Sequence, residues 1–106
     1  MDELFAISVD TGFPDSLVTV RLSGEIDTVA IPSLRAALVE AWSVHPRALV
    51  VDLSEVSFLS ISAAGPLLKA CSIGRRDGMR VSLLAHSRPV RKLLDLAGLS
   101  GASESV

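Results

Sequence analysis

An α/β domain built on a mixed sheet is the fold this sequence predicts, and three observations predict it. Two segments near the start, Leu4 to Val9 and Val18 to Leu22, are apolar at every second residue and flank the turn cluster Thr11 to Ser16. That is the pattern of an antiparallel hairpin with one buried face. Beyond residue 24, short branched apolar runs alternate with segments whose apolar residues recur at three- and four-residue steps. Such alternation calls for parallel strands joined by helical crossovers. Finally, 106 residues at 49% apolar and 21% charged make one domain, residues 1–106. A chain of this size hides roughly 60–70% of the surface its unfolded form exposes, and its composition excludes disorder.

The elements follow in order. Gly24 to Asp27 ends the second strand, and Thr28 to Ile31 connects to a helix whose first turn suits Pro32. This helix runs to about Val44, with Ile31, Leu34, Leu38, Ala41 and Trp42 facing inward, and Pro46 stops it. His45 beside the stop reads as a partner of the helix dipole. Ala48 to Leu53 is a buried strand bearing Asp52, a carboxylate placed to cap loop N–H groups. Ser54 to Ser62 is a serine-rich connection carrying Val56, Phe58 and Leu59. From about Ala63 a helical stripe of Ala64, Leu67, Leu68 and Cys71 takes over, ending at Asp77-Gly78 after Arg75 and Arg76. Met79 to Ala85 is the next strand. Ser87 caps a last helix with Val90, Leu93, Leu94 and Ala97 inward and Gly98 at its end. The tail Ser100 to Val106 is either a weak edge strand or disordered.

Composition narrows the function. Ten basic against twelve acidic side chains leave a net charge of −2, and aromatics are 4%, so neither a phosphate backbone nor a single strand finds its usual partners. Nucleic acid is not an expected partner. Cys71 is the one cysteine and reads as a buried, reduced thiol. The acidic start Met1-Asp2-Glu3 is no secretory signal, and no apolar run reaches the ~20 residues that span a bilayer. The expected place is the cytoplasm, without direct membrane insertion. His45 and His86 have no ligand spacing, so no metal site is expected. Ser62, His86 and Asp52 are the residue types of a hydrolase triad, but Gly-x-Ser-x-Gly is missing. Glycine-rich phosphate loops are missing as well. The expectation is a protein without catalytic residues or cofactor.

The serines where the central helix begins carry the functional question. A hydroxyl there caps the helix, or it carries a phosphate that the N–H groups and dipole accommodate. Leu22-Ser23-Gly24-Glu25-Ile26-Asp27, then Val50-Val51-Asp52-Leu53-Ser54, then Ser62-Ala63-Ala64-Gly65 together resemble the STAS domains, specifically the bacterial anti-sigma factor antagonists. The resemblance covers nearly the whole chain. It implies a STAS-like mixed sheet and a binding switch: the domain binds an anti-sigma factor that is also a serine kinase, freeing a sigma factor. The kinase phosphorylates a serine, binding is lost, and a serine phosphatase resets the system. The family motif Asp-Ser-Ser-Gly falls on Ser60, Ile61, Ser62 and Ala63, which makes Ser62 the phosphoacceptor candidate and Ser60 the second choice. The family aspartate, first serine and glycine are thus replaced. Pro66 lacks the N–H that the Ser62 carbonyl would receive in a helix starting at Ser62. Such a helix therefore starts nearer residues 63–65 or is distorted. The partner-binding residues implied are Asp27, Ser60, Ile61, Ser62 and Ala63, with Asp27 alternatively a cap of the connector. The domain is expected as a monomer or weak dimer. A second role within the same family is that of a non-phosphorylated subunit of a lipid-transport ABC ATPase complex.

Overall fold

In the computed structural model, residues 4–12, 16–99 and 103–104 are described. The N-terminal triad Met1-Asp2-Glu3, the middle of the turn cluster (13–15) and most of the tail (100–102 and 105–106) lie outside them. Strands β1 (Phe5–Gly12) and β2 (Leu17–Ile26) form the antiparallel hairpin, in register from Phe5 opposite Gly24 to Gly12 opposite Leu17. A 3-10 turn, Thr28–Ala30, leads into α1 (Ile31–Ser43). Then come β3 (Ala48–Leu59), α2 (Ile61–Asp77), β4 (Arg80–Leu84), α3 (Arg88–Leu96) and the two-residue β5 (Ser103–Glu104).

The five strands lie side by side in sequence order, β1 antiparallel to β2 and each later neighbour parallel. Every crossover therefore steps in the same direction across the sheet. Right-handed crossovers in one direction place their helices on one face. The burial pattern agrees. Val18, Val20 and Leu22 of β2, Leu49, Val51 and Leu53 of β3 and Leu83 of β4 join Leu34 of α1, Leu67 of α2 and Leu94 of α3 in one apolar cluster. The alternate residues face the other way and are exposed or half-buried: Ser8, Asp10, Thr19, Arg21, Val50 and Asp52. On that open face Arg21 stands 3.5 Å from the Asp10 carboxylate and 4.0 Å from that of Asp52.

Two boundaries differ from the sequence reading, and both matter to the site. Residues 54–59 are not a connection: β3 continues through them to Leu59. The strand is held because β2 continues beside it, Gly24 opposite Val56 and Ile26 opposite Leu59, after register shifts between Arg21 and Ser23 and between Gly24 and Glu25. The shifts move burial from Leu49, Val51 and Leu53 to Val56 and Leu59, which breaks the period of two that marks a strand in sequence. The central helix also begins earlier than Ala63, at Ile61, and Pro66 stands buried inside it. The Ser62 carbonyl consequently lacks its usual i+4 donor.

Candidate functional site

The end of β3 and the connector after β2 meet at the start of α2. Ile26 pairs with Leu59 across the sheet, and the Ser60 backbone N–H donates to the Ile26 carbonyl at 3.0 Å. Asp27, the next residue after Ile26, is thereby brought beside Ser60, although 33 positions separate them in sequence. Asp27 Oδ1 accepts from the Thr28 backbone N–H at 2.7 Å and lies 3.3 Å from the Thr28 hydroxyl. Its carboxylate thus caps the 3-10 turn.

The two serines divide the work at the helix start. Ser60 is the N-cap: it has extended backbone, φ −78° and ψ 157°, and its Oγ accepts from the Ala63 N–H at 3.3 Å. Ser62 is not the cap. It is the second residue of the helix, its side chain is exposed, and its Oγ lies 2.9 Å from Ser60 Oγ. The first turn of α2 contains no acidic side chain, so the N-terminal N–H groups and the positive end of the dipole meet no fixed countercharge there. Ile61 is 63% exposed beside the serines, whereas Ala63 is fully buried. Ala63 anchors the turn in the core, so its side chain adds nothing to the surface.

The segments that meet at this corner bear exposed apolar side chains. Phe58, which pairs with Glu25 near the end of β3, is 48% exposed, and Val29 on the 3-10 turn is 82% exposed. Val29 follows Asp27 by two residues, and Phe58 and Ile61 stand on either side of Leu59-Ser60, so all three belong to the segments that meet at the carboxyl ends of the parallel strands. In open α/β sheets that end is where binding surfaces gather. Sequence reasoning missed the weight of Val29 and Phe58. The sign that could have found them is an apolar residue off the inward register of its element, since single exposed apolar residues are ordinary but a cluster is not.

The remaining candidates fall elsewhere. Asp52 lies on the open sheet face, away from the helices. Its carboxyl is held below the ordinary carboxylate value by the Ser54 hydroxyl and backbone N–H (2.9 Å to Oδ1) and by the Arg21 and His86 charges, against the opposing effect of burial. Its hydrogen-bond and ion-pair partners are Ser54 and Arg21, with the His86 charge acting on it more weakly, while the hydroxyl partner of Ser62 is Ser60, so Ser62 is not joined to Asp52 and His86 as a triad. Burial pushes the Cys71 thiol up. His45 takes left-handed backbone, φ 49°, and its N–H donates to the Trp42 carbonyl at 2.9 Å, closing α1. Among the described residues no group of three His, Cys, Asp or Glu is placed to hold a metal, and no helix is long and apolar enough to cross a membrane.

Known proteins resemble this chain over most of its length. The anti-sigma-F factor antagonist RsfB of Mycobacterium tuberculosis is 30% identical over 94 residues, 89% of this chain and 76% of RsfB. Among solved structures, an anti-sigma factor antagonist from Mycobacterium paratuberculosis superposes with a TM-score of 0.82 at 28% identity, covering 95% of this chain and 84% of its own. The anti-sigma factor antagonist SpoIIAA shares the fold: its unphosphorylated form gives a TM-score of 0.81 at 24% identity over 95% of this chain and 88% of its own. The phosphorylated form of the Bacillus protein gives 0.75 at 24% identity, over 95% and 91%. The STAS domain model matches residues 8–103, and the chain belongs to the STAS domain family.

Proposed function

We propose that this protein is an anti-sigma factor antagonist, acting by protein binding without chemistry of its own. The surface that docks the anti-sigma factor is Asp27, Val29, Phe58, Ser60, Ile61 and Ser62. The reading draws support from the names of its relatives, RsfB above all. The observation that carries it is local: Ser62 has an exposed hydroxyl, relieved of capping by Ser60, and the segments that meet at this helix start bear exposed Val29, Phe58 and Ile61.

The partner is an anti-sigma factor with serine kinase activity, Ser62 is its phosphoacceptor, and a serine phosphatase restores the free hydroxyl, all in the cytoplasm. Phosphorylation adds about −1.5 to −2 charge. The N–H groups at the start of α2 accommodate that charge locally, so the fold survives. An interface built for a neutral hydroxyl among apolar side chains does not, because burying an unpaired, strongly hydrated dianion is costly. A loss of tenfold in affinity needs only about 1.4 kcal/mol. SpoIIAA, of the same fold, exists in phosphorylated and unphosphorylated forms.

A pull-down from native lysate tests this. Wild type and Ser62→Ala are expected to capture the same kinase-like ATPase, while Ser62→Asp captures at least about tenfold less. Phosphopeptide mapping then places the phosphate on Ser62. Equal capture by all three would leave Ser62 outside the interface. Co-purification with a membrane ABC-type ATPase instead would assign the domain to a transport complex.

A further inference from the structure

Helices α1 and α2 do not close on each other along their length. Between them runs a groove of about 630 Å³, with Ser62 at one end. That volume lies within the roughly 300–1,000 Å³ of small-molecule sites. On the α1 side the lining includes Arg35, Leu38 and Trp42, and on the α2 side Pro66, Lys69 and Ile73. The spacings are those of a single helix face on each side. The groove is open beside Gly65, where a Cβ would meet nothing within 4 Å. Leu38, Trp42, Pro66 and Ile73 give the lining its apolar part, and the Trp42 indole N–H is buried without a hydrogen-bond partner.

The charge of the groove is one-sided. Arg35 and Lys69 are both exposed, one on each wall, and the lining includes no acidic residue. The chain as a whole carries −2, so this positive site stands against the background. An apolar trough with a cation on either wall fits an apolar chain that ends in an anion. We propose that the α1–α2 groove binds a single-chain amphiphilic anion, a free long-chain carboxylate, with its head between Arg35 and Lys69 and its alkyl part along Leu38, Trp42 and Ile73. The groove shares Ser62 with the proposed docking corner, but its two cations and its apolar lining lie outside that corner, and the proposal concerns the chain with Ser62 unmodified.

The protein supplies its own reporter, because Trp42 is the one tryptophan and there is no tyrosine. The full chain is titrated with monomeric dodecanoate, and in parallel with dodecanol and dodecyltrimethylammonium, while Trp42 emission is followed. Dodecanoate is expected to give a saturable spectral change, with the neutral and cationic chains weaker by about tenfold or more. Arg35→Gln combined with Lys69→Gln, both at exposed positions, is expected to remove that preference while leaving the circular dichroism melt unchanged. Gly65→Leu, which fills the groove, is expected to abolish the saturable change. The proposal is overturned by no saturable response, by equal response to all three head groups, or by undiminished dodecanoate binding in either variant. Binding to phosphatidylglycerol vesicles without response to monomeric dodecanoate also overturns it, assigning the two cations to a membrane surface.

Discussion

Ser60 and Ser62 are two residues apart and do different things. Ser60 has the extended backbone and the N–H acceptor geometry of a cap, whereas Ser62 has an exposed hydroxyl within the first turn. Removing a serine cap typically costs about 1 kcal/mol. Ser60→Ala is therefore expected to lower unfolding free energy by about 1 kcal/mol, while Ser62→Ala stays within about 0.5 kcal/mol, as surface substitutions do. Urea melts of the two variants check the assignment; equal losses would mean that the hydroxyls share the cap through their 2.9 Å contact. The serines were legible in sequence as the place where the helix starts, but their roles were not. A difference of two residues in the helix start exchanges cap and first-turn residue, and helix boundaries are the part of a pattern that periodicity defines least.

At the scale of elements, the site exists because β2 and β3 continue together past their regular registers. Gly24 makes this possible. Its φ of 82° is a left-handed conformation, and a Cβ there would overlap the Leu4 carbonyl, which accepts from the Glu25 N–H at 2.8 Å. Gly24→Ala is expected to cost about 1–3 kcal/mol, from a strained backbone angle and the collision with β1. Thermal melts measure it, and a neutral result would show that the strand end relaxes freely. A damaged β2 end also releases the Ile26 carbonyl that holds Ser60, so partner capture should fall with stability in this variant. The sequence showed Gly24-Glu25-Ile26-Asp27 as the end of a strand. It did not show β3 running on to Leu59, since Ser54, Ser57 and the shifted apolar positions Val56 and Leu59 read as a loop once the alternation breaks.

The whole molecule is a sheet with one covered and one open face, and Asp52 on the open face ties part of its stability to pH. Asp52 has a folded-state pKa lowered mainly by its Ser54 hydrogen bonds. In the unfolded chain the carboxyl titrates near its ordinary value, about pH 4. Between the two values the unfolded state binds more protons, so stability rises with pH there. The contribution is complete above about pH 4 and is lost as pH falls through the folded pKa. Asp52→Asn is expected to cost about 1 kcal/mol at neutral pH, with the gap to wild type narrowing as pH falls below about 4. Urea melts at neutral pH and through the acid range test this, and a gap independent of pH would assign the cost to geometry rather than charge. Sequence alone determined the order of strands and helices, the hairpin, the inward faces of α1 and α3 and the crowding of serines at the central helix, because these follow from local periodicity and turn chemistry. Tertiary structure alone decided that Ser60 bonds to Ile26 and so lies next to the Asp27 connector, that Ala63 is buried while Val29 and Phe58 are bare, and that Arg35 and Lys69 line one groove. Those are matters of which distant segments touch. A local pattern fixes which face of an element is apolar, but the register between strands and the gap between helices arise only when the elements pack.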